Sequence, residues 1–170
     1  MHAVQRISYA DKAKFYQELR GELRGVYNAV WLTNLANAAA MIMQHLPELN
    51  WAGFYLLHDE KLCLGPFQGL PACLEIGLGQ GVCGTAAQRR ATLVVGDVDQ
   101  FPGHIACDTR SRSEIVLPLI VGERLLGVLD LDSPVHDRFA AEDQLHLEKL
   151  VQDLLSHSVW PQPLFHSVDR

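Results

Sequence analysis

A chain of 170 residues, 48% of them hydrophobic and 20% charged, is long enough for one globular domain with a substantial core. Its net charge of −6 gives no general attraction to nucleic acid or anionic lipid, so neither is an expected partner. Residues 1–20 lack a signal-peptide pattern, and the longest apolar run, Ile115 to Val121, is too short to span a membrane. We therefore expect a soluble, cytoplasmic protein.

The N-terminal part of the chain carries two helical patterns. Asp11 can cap a short helix that Gly21 and Gly25 punctuate. A stronger pattern follows, with apolar residues at the spacing of an amphipathic helix that Pro47 stops. Its members are Leu32, Leu35, Ala36, Ala39, Ile42, Met43 and Leu46. We expect this helix to serve packing.

The middle of the chain predicts strands followed by a loop-rich crossover. Trp51 to Leu57 is rich in aromatic residues and β-prone, and Lys61 to Phe67 is a plausible partner strand. Residues 65–104 hold most of the glycines, which favours loops over regular structure. Within that stretch, Val82 to Arg89 could form a short helix and Thr92 to Val95 a short strand.

The C-terminal part predicts a hairpin and a last helix. Ile115 to Val121 and Leu125 to Leu131 are apolar on both faces, as expected for central strands covered on both sides. Asp137 is expected to cap a helix, whose apolar face holds Leu147, Leu150, Val151, Leu154 and Leu155. The order of elements predicts an α+β domain with an antiparallel sheet, terminal helices on one face and loops on the other.

The four cysteines are Cys63, Cys73, Cys83 and Cys107. In a reducing compartment they are buried thiols, metal ligands or redox groups rather than a structural disulfide framework. No CxxC pair is present, and the only close ligand pair joins His104 to Cys107, so we expect no structural zinc. Cys63 alternates within an apolar strand and is expected to pack. The other three lie in or beside Gly/Pro-rich loops, which leaves packing and redox chemistry open for each.

Six segments of the sequence carry a resemblance to a known family: "NWAGFYLL", "LGPFQGLPAC", "GQGVCGTAA", "VGDVDQFPGHIACD", "SEIVLPLI" and "GVLDLDS". In this order they closely resemble the free methionine-(R)-sulfoxide reductases, single-domain enzymes built on the GAF fold. Ordinary GAF sensor domains share the apolar strands but do not combine the three loop cysteines. The resemblance implies one GAF-like domain over residues 1–170, with a core at about 25–157 and a C-terminal tail at 158–170.

The resemblance also assigns roles to the cysteines. Cys107 would be the catalytic nucleophile, Cys73 the resolving cysteine, and Cys83 a relay or an alternative resolving thiol. Sulfoxide reduction needs a thiolate that attacks sulfur and a proton donor near the oxygen. The nucleophile is left as a sulfenic acid, which a second thiol converts to a disulfide. Cys63 matches no family motif and remains a packing residue.

A binding pocket is implied for the substrate. The resemblance assigns Trp51, Glu114, Asp130 and Asp132 to it, with the carboxylates serving the ammonium and the sulfoxide oxygen and the indole lying against the S-methyl group. Carboxylates that lie close together cannot all ionise cheaply, so one pKa should rise and hold a proton near neutral pH. Without the family, solvent-exposed strand ends would be the simpler interpretation of Glu114 and Asp130.

Strand geometry makes this grouping testable. Asp130 and Asp132 share a face because they are two residues apart in a strand. A two-residue turn at Gly122-Glu123 would set Glu114 opposite Leu131, on the other face. A three-residue turn that includes Arg124, or an equivalent bulge, would set Glu114 opposite Asp132. We predict the second register.

The resemblance further implies that no metal or organic cofactor is bound, that thioredoxin is the reductant with NADPH acting indirectly, and that the protein is a homodimer. Peptide-bound methionine sulfoxide should be a poor substrate because it lacks the α-ammonium that pairs with the buried carboxylates. The backbone amides of residues 79–85 are candidates for the substrate carboxylate. His104 could assist ionisation of Cys107 or pack a loop, and we assign it no catalytic role.

Two other classes of function fit the fold. A non-catalytic GAF sensor could bind a small ligand and use its cysteines as a redox gauge, although 170 residues leave no room for a fused output domain. A purely structural interaction module would explain neither the carboxylates nor the loop cysteines. Turnover of a sulfoxide would separate the enzyme from both.

Overall fold

The computed structural model describes residue 9, residues 11–105 and residues 108–165. In these ranges the helices are α1 Lys12–Val26, α2 Trp31–His45, α3 Gly81–Arg89 and α4 Ala141–His157. The strands are β1 Trp51–His58, β2 Lys61–Gln68, β3 Glu75–Gly77, β4 Leu93–Val95, β5 Ser113–Val121 and β6 Arg124–Ser133. All six form one antiparallel sheet in the order β3-β2-β1-β6-β5-β4. The predicted α+β class is confirmed.

The two faces of the sheet carry two separate apolar clusters. Helices α1, α2 and α4 cover one face, where the central strands contribute Ala52, Phe54, Leu56, Ile115, Leu117, Leu119, Leu129 and Leu131. The short helix α3 covers the opposite face, which holds Trp51, Tyr55, Val116 and Val128. Burial of apolar side chains on both faces explains why the central strands have little polar alternation. No helix in the described ranges has the length and apolarity to cross a bilayer.

The two N-terminal helices form where the sequence predicts them, with differences in detail. Asp11 caps α1 by accepting a hydrogen bond from the Lys14 amide at 3.0 Å. The helix continues through Gly21 and Gly25 to Val26, because packing of its apolar face outweighs a cost of about 1 kcal/mol for each glycine. In α2 the buried face is rotated from the predicted one. Leu32 and Ala36 are exposed, while Asn34 and Ala38 are buried.

The predicted cap of the last helix is wrong. Asp137 lies in a turn with φ +53°, where its amide donates to the Gly96 carbonyl at 2.9 Å. Helix α4 begins four residues later, and the carboxylate of Asp143 accepts from the Ala140 amide at 2.9 Å. An aspartate inside the first turn therefore satisfies the helix N-terminus, where its charge also suits the helix dipole.

Asp143 also joins α1 to α4. Its fully buried carboxylate accepts hydrogen bonds from the Tyr9 and Tyr16 hydroxyls at 2.7 and 2.8 Å and from Lys12 Nζ at 2.6 Å. Burial acts to raise the pKa of Asp143. The hydrogen bonds outweigh burial and lower the pKa below its ordinary value, and the bond from Lys12 has the largest effect among them. The network fixes the helical layer behind the sheet, because a buried charge is stable only when fully paired.

The β5-β6 hairpin contains the bulge on which the carboxylate grouping depends. Its turn consists of the two residues Gly122 and Glu123, so the expected three-residue turn is wrong. The register shifts by one between Leu119 and Ile120, where Leu126 is an extra residue on β6. This bulge has the same effect on the register as a longer turn. The predicted alternative, an equivalent bulge, is therefore confirmed.

The bulge places all three carboxylates on one face. Glu114 pairs with Asp132 across the hairpin, and Asp130 lies two residues away on the same strand. Gly127 follows the extra residue with φ +152°, and a Cβ atom there would lie 2.1 Å from the Tyr55 carbonyl oxygen. Only glycine fits this close approach of β6 to β1.

We predict that Gly127→Ala destabilises the fold by about 2–4 kcal/mol, because the added methyl collides with the β1 backbone. Gly122→Ala is the matched control, since Gly122 also has a positive φ of +60° but nothing lies within 4 Å of its Cβ position. The control should lose about 1 kcal/mol from backbone strain alone. Urea denaturation measures both, and equal losses would contradict the role assigned to the close approach.

Candidate active site

Glu114, Asp130 and Asp132 lie together on the sheet face opposite the three large helices. The side chains of Glu114 and Asp130 are buried, with 5% and 6% of their residue surfaces exposed. Asp130 Oδ1 is buried without a hydrogen-bond partner. An orphaned carboxylate oxygen of this kind is costly, which indicates that the site is completed by a ligand or by water.

Cys83 reaches the carboxylates from α3. Its Sγ lies 3.8 Å from Glu114 Oε1, to which the thiol can donate a weak hydrogen bond. Sγ and one carboxyl oxygen from each of Glu114 and Asp130 all lie within 4.8 Å of one another. The sequence predicted these groups for one site, and the structure brings them into contact.

Burial dominates the electrostatics of this cluster. It raises the pKa of Glu114 well above the ordinary value, and the negative charges of Asp130 and Asp132 raise it further. It raises the pKa of Asp130 to about 6 and that of Asp132 well above its usual range. The pKa of the Cys83 thiol is also raised, by burial first and by Asp130 and Glu114 next. Cys83 therefore holds its proton at neutral pH, and the acid form of Glu114 is favoured relative to that of an exposed carboxyl.

These groups line a small pocket with a cavity volume of about 30 Å³. Its lining consists of Tyr55, Ile76, Gln80, Gly81, Val82, Cys83, His104, Ile105, Asp108, Ser111, Glu114, Asp130 and Asp132. No lysine or arginine is among the described residues of this lining. The pocket is therefore acidic on its floor and suits a cationic or hydrogen-bonding ligand.

Trp51 lies next to the pocket in an aromatic stack. It pairs with Asp132 across the strands, is 2% exposed, and stacks on Phe67 and Tyr55 with centroid distances of 5.4 and 5.8 Å. Its indole nitrogen donates to the Leu70 carbonyl at 3.2 Å. Tyr55, not Trp51, is the member of this stack that lines the pocket.

The cysteines occupy different settings. Cys73 is disulfide-bonded, whereas Cys63 and Cys83 are free thiols. Cys63 lies on β2 opposite Leu56, away from the pocket lining. The expected nucleophile, Cys107, lies outside the described residues.

The loop on either side of residues 106–107 belongs to the pocket, since Ile105 and Asp108 both line it. Hydrogen bonds from Arg110 hold the pKa of Asp108 below its usual range. The Asn50 side chain donates to both Asp108 Oδ2 and Ser111 Oγ at 3.0 Å. These contacts anchor the loop to the start of β1.

His104 is also part of the lining. Partial burial lowers its pKa, so its imidazole is neutral at pH 7. A neutral imidazole lacks the charge that stabilises a neighbouring thiolate electrostatically. The role of His104 therefore stays unassigned.

One group of metal-ligating side chains occurs in the part of the chain that the structure describes: Cys83, Glu114 and Asp130. Zinc binds a thiolate and ionised carboxylates, with ligand distances of about 2.0–2.3 Å. Burial raises the pKa of both the thiol and the Glu114 carboxyl, so a metal ion would have to displace their protons. The same raised pKa values suit proton transfer and hydrogen bonding.

Comparison with known proteins decides the family. The profile of the GAF domain matches residues 18–157. Free methionine-R-sulfoxide reductase of Escherichia coli is 48% identical over 146 residues, which cover 85% of this chain and 88% of that protein. The chain belongs to the GAF family of free methionine-R-sulfoxide reductases. The resemblance found in the sequence is thus confirmed.

Solved structures of this family support the assignment. The X-ray structure of free methionine-R-sulfoxide reductase from Neisseria meningitidis, in complex with its substrate, has a TM-score of 0.87 and 43% identity, covering 92% of this chain and 95% of that chain. The substrate-bound enzyme from Staphylococcus aureus has a TM-score of 0.80 and 44% identity, covering 84% and 94%. The family fold therefore extends over nearly the whole chain.

Tyr55 and Ser111 are site residues that sequence reasoning missed. Tyr55 could have been found from strand alternation, since it lies four residues after Trp51 and must share its face. Ser111 lies in an irregular loop, where no periodic signal predicts the direction of a side chain. Its place in the pocket follows from the Asn50 contact, which joins residues 61 positions apart.

We predict that Asp130→Asn stabilises the protein increasingly as pH rises. The folded-state pKa of Asp130, about 6, lies above its ordinary value of 3.8, so its contribution to stability is present below pH 4 and is lost as pH rises through 6. The melting temperature of the variant relative to wild type should therefore increase between pH 4.5 and pH 7.5. Each 1 kcal/mol corresponds to roughly 2–4 °C in a domain of this size.

Asp97→Asn is the control for this experiment. A hydrogen bond from Gln100 lowers the pKa of Asp97, so the stability that Asp97 contributes increases as pH rises. The melting temperature of Asp97→Asn relative to wild type should therefore decrease as pH rises. If both variants gave the same trend, burial of the Asp130 charge would not be its cause.

Proposed function

We propose that this protein reduces free L-methionine-(R)-sulfoxide to L-methionine by cysteine chemistry. The observation that carries the proposal is the pocket of buried carboxyls with raised pKa values, in which the hydroxyl of Tyr55 donates to the backbone of the disulfide-bonded Cys73. Sulfoxide reduction needs a proton donor beside a redox-active thiol, and both kinds of group are present. The identity to named reductases over 85% of the chain supports the same activity.

Recognition of the free amino acid rests on charge. A substrate α-ammonium would pair with Asp130 or Asp132 and offset burial of their negative charge. The orphaned Asp130 Oδ1 offers an acceptor for one of its N–H groups. A peptide-bound methionine sulfoxide lacks this ammonium and would leave the carboxylate unpaired, so we expect it to be a poor substrate.

The first turn of α3 is the candidate for the substrate α-carboxylate. Gly81, Val82 and Cys83 line the pocket, and the amides of a first helical turn have no carbonyl partner within the helix. The amides of Gly79 and Gly84, by contrast, already donate to backbone carbonyls at 2.8 and 3.0 Å. The expected carboxylate site within residues 79–85 thereby narrows to the start of α3.

The chemistry would proceed in three balanced steps. The Cys107 thiolate attacks the sulfoxide sulfur while a protonated carboxyl gives a proton to the oxygen, which transfers to Cys107 as the sulfenic acid and releases methionine. The Cys73 thiol then attacks the sulfenic sulfur, forming the disulfide and releasing water. A reduced thioredoxin exchanges its dithiol for this disulfide and is itself oxidised, with NADPH as the indirect electron source.

Glu114 is the best-suited proton donor. Its pKa is raised well above the ordinary value, so its acid form persists to a higher pH than that of an exposed carboxyl. Cys83 donates its weak hydrogen bond to Glu114 and keeps its proton, which disfavours it as the attacking thiolate. We propose Cys83 as a relay or reserve resolving thiol, and we further propose that the enzyme is a cytoplasmic homodimer.

The decisive experiment follows methionine formation from each epimer of free methionine sulfoxide. Prereduced protein is incubated with thioredoxin, thioredoxin reductase and NADPH, alongside Cys107→Ser and the control Cys63→Ser. We expect turnover of the R epimer only, abolished by Cys107→Ser and retained in Cys63→Ser. Absence of turnover in folded, reduced wild type would favour a GAF sensor that binds a ligand without catalysis.

We predict that Glu114→Gln lowers kcat by about 10²–10⁴-fold and removes the alkaline fall of its pH profile. Activity that needs the protonated carboxyl is present below its raised pKa and is lost as pH rises through it. Glutamine keeps the shape of the side chain but has no acidic proton. Glu123→Gln, in the exposed turn at the far end of the hairpin, should leave the profile unchanged. A normal alkaline limb in Glu114→Gln would exclude this carboxyl as the donor.

A further inference from the structure

We propose that Tyr55 is a positioning residue for the resolving step, in which its hydroxyl holds the Cys73 segment against the pocket. This inference rests on the proposed function, in which Cys73 condenses with the sulfenic acid on Cys107. Nothing in the chemistry of the first step requires the bond. Its expected effect is therefore on disulfide formation more than on methionine release.

The hydroxyl of Tyr55 donates to the backbone carbonyl oxygen of Cys73 at 3.2 Å. The two residues are 18 positions apart, so this contact joins a central strand to a loop. Tyr55 is 1% exposed and pairs on β1 with Leu64 and Val128 of the flanking strands. The donor, Tyr55, is thus held in a central strand of the sheet. The acceptor, the Cys73 carbonyl, lies in the irregular segment between β2 and β3.

The segment from Gly69 to Leu74 joins β2 to β3 and is held by several kinds of contact. Leu70 and Leu74 are 51% and 77% exposed, whereas Ala72 and Cys73 are partly buried against the apolar cluster of the pocket face. The Trp51 indole donates to the Leu70 carbonyl at 3.2 Å, and the Leu64 amide donates to the Leu74 carbonyl at 3.0 Å. Cys73 is also held by its disulfide, which is absent in the prereduced protein, and the Tyr55 bond then acts directly on its backbone.

Tyr55 also belongs to the pocket. Its ring lines the cavity and stacks on Trp51, so the same side chain contacts the ligand space and the Cys73 backbone. Burial raises the pKa of Tyr55, and the nearby acidic groups raise it further. The phenol consequently stays a neutral donor throughout the working pH range, and its bond to Cys73 does not depend on pH.

Condensation of a thiol with a sulfenic acid requires the two sulfur atoms to approach within bonding reach. Fixing one partner on a rigid support raises the effective concentration of the other. A loss of about 1.4 kcal/mol, within the range for one hydrogen bond, would slow such a step by roughly tenfold. The removal of one oxygen atom from Tyr55 isolates this contribution, because phenylalanine keeps the ring in place.

The test is a single-turnover experiment on the full-length, prereduced protein without thioredoxin. Methionine released is measured by chromatography, and disulfide formed is measured as loss of free thiols in intact-protein mass spectra. Dimedone in a parallel reaction traps the sulfenic acid. For Tyr55→Phe we expect the ratio of disulfide formation rate to methionine release rate to fall about tenfold, with more dimedone adduct.

Tyr27→Phe is the matched control, since its hydroxyl is also buried but has no hydrogen-bond partner in the described structure. It should leave the ratio at the wild-type value. Incorporation of 4-aminophenylalanine at position 55 restores an N–H donor and should recover part of the ratio. If Tyr55→Phe does not fold, 4-fluorophenylalanine fills the hydroxyl volume without a donor and takes its place.

A normal ratio in folded Tyr55→Phe, or an equal fall in Tyr27→Phe, would overturn the proposal. A fall that 4-aminophenylalanine fails to relieve would also overturn it, because the donor would not be the cause. Failure of the proposed function looks different. In that case wild type releases no methionine, and the basis for a resolving role is lost before the variants are compared.

Discussion

Burial of three carboxyl groups on one face of a hairpin is the constraint on which the rest of this structure depends. Desolvation of Glu114, Asp130 and Asp132 disfavours their charged forms, and no lysine or arginine lines the pocket among the residues that the structure describes. Such a cluster weakens the fold at neutral pH unless a ligand completes it. Sites that sacrifice stability in this way are typical of functional pockets.

The opposite face of the sheet makes this cost tolerable. Three helices bury a continuous apolar cluster there, and Asp143 joins two of them, α1 and α4, through hydrogen bonds from Tyr9, Lys12 and Tyr16. One face of the sheet thus supplies stability. The other face holds the carboxyl groups away from water, which would otherwise solvate their charge. A strand alternates between them residue by residue, so Leu129 and Leu131 stabilise the fold while Asp130 and Asp132 face the pocket.

Much of this arrangement is readable from sequence because it depends on periodicity. Alternation along β6 places Asp130 and Asp132 on one face. Because Glu114 can share that face only in one register, the sequence alone predicts a register shift. The mechanism of that shift was not predictable. A bulge at Leu126 and a longer turn give the same pairing, and the choice depends on the close contact of Gly127 with β1.

Other features escaped prediction because they depend on contacts distant in sequence. Asp137 and Asp143 are both plausible helix caps by composition, and only the tyrosines and Lys12 that surround Asp143 decide between them. Trp51 stays a predicted substrate contact, and the hydrogen bond from its indole to the Leu70 carbonyl is a feature that the sequence did not predict. The backbone position of a loop carbonyl determines that bond, and side-chain patterns carry no information about it.

The settings of two cysteines also bear on their suitability as resolving thiols. Cys83 is buried in α3, where helical hydrogen bonds fix its backbone and Glu114 engages its thiol. Cys73 lies in an irregular segment, is partly buried and disulfide-bonded, and its carbonyl accepts a hydrogen bond from Tyr55. A resolving thiol must approach a second sulfur and then retreat, since the reduced and oxidised states differ in sulfur separation. A loop segment can do this without disturbing the helix or the carboxylates, which is the physical reason for proposing Cys73 rather than Cys83 as the resolving residue.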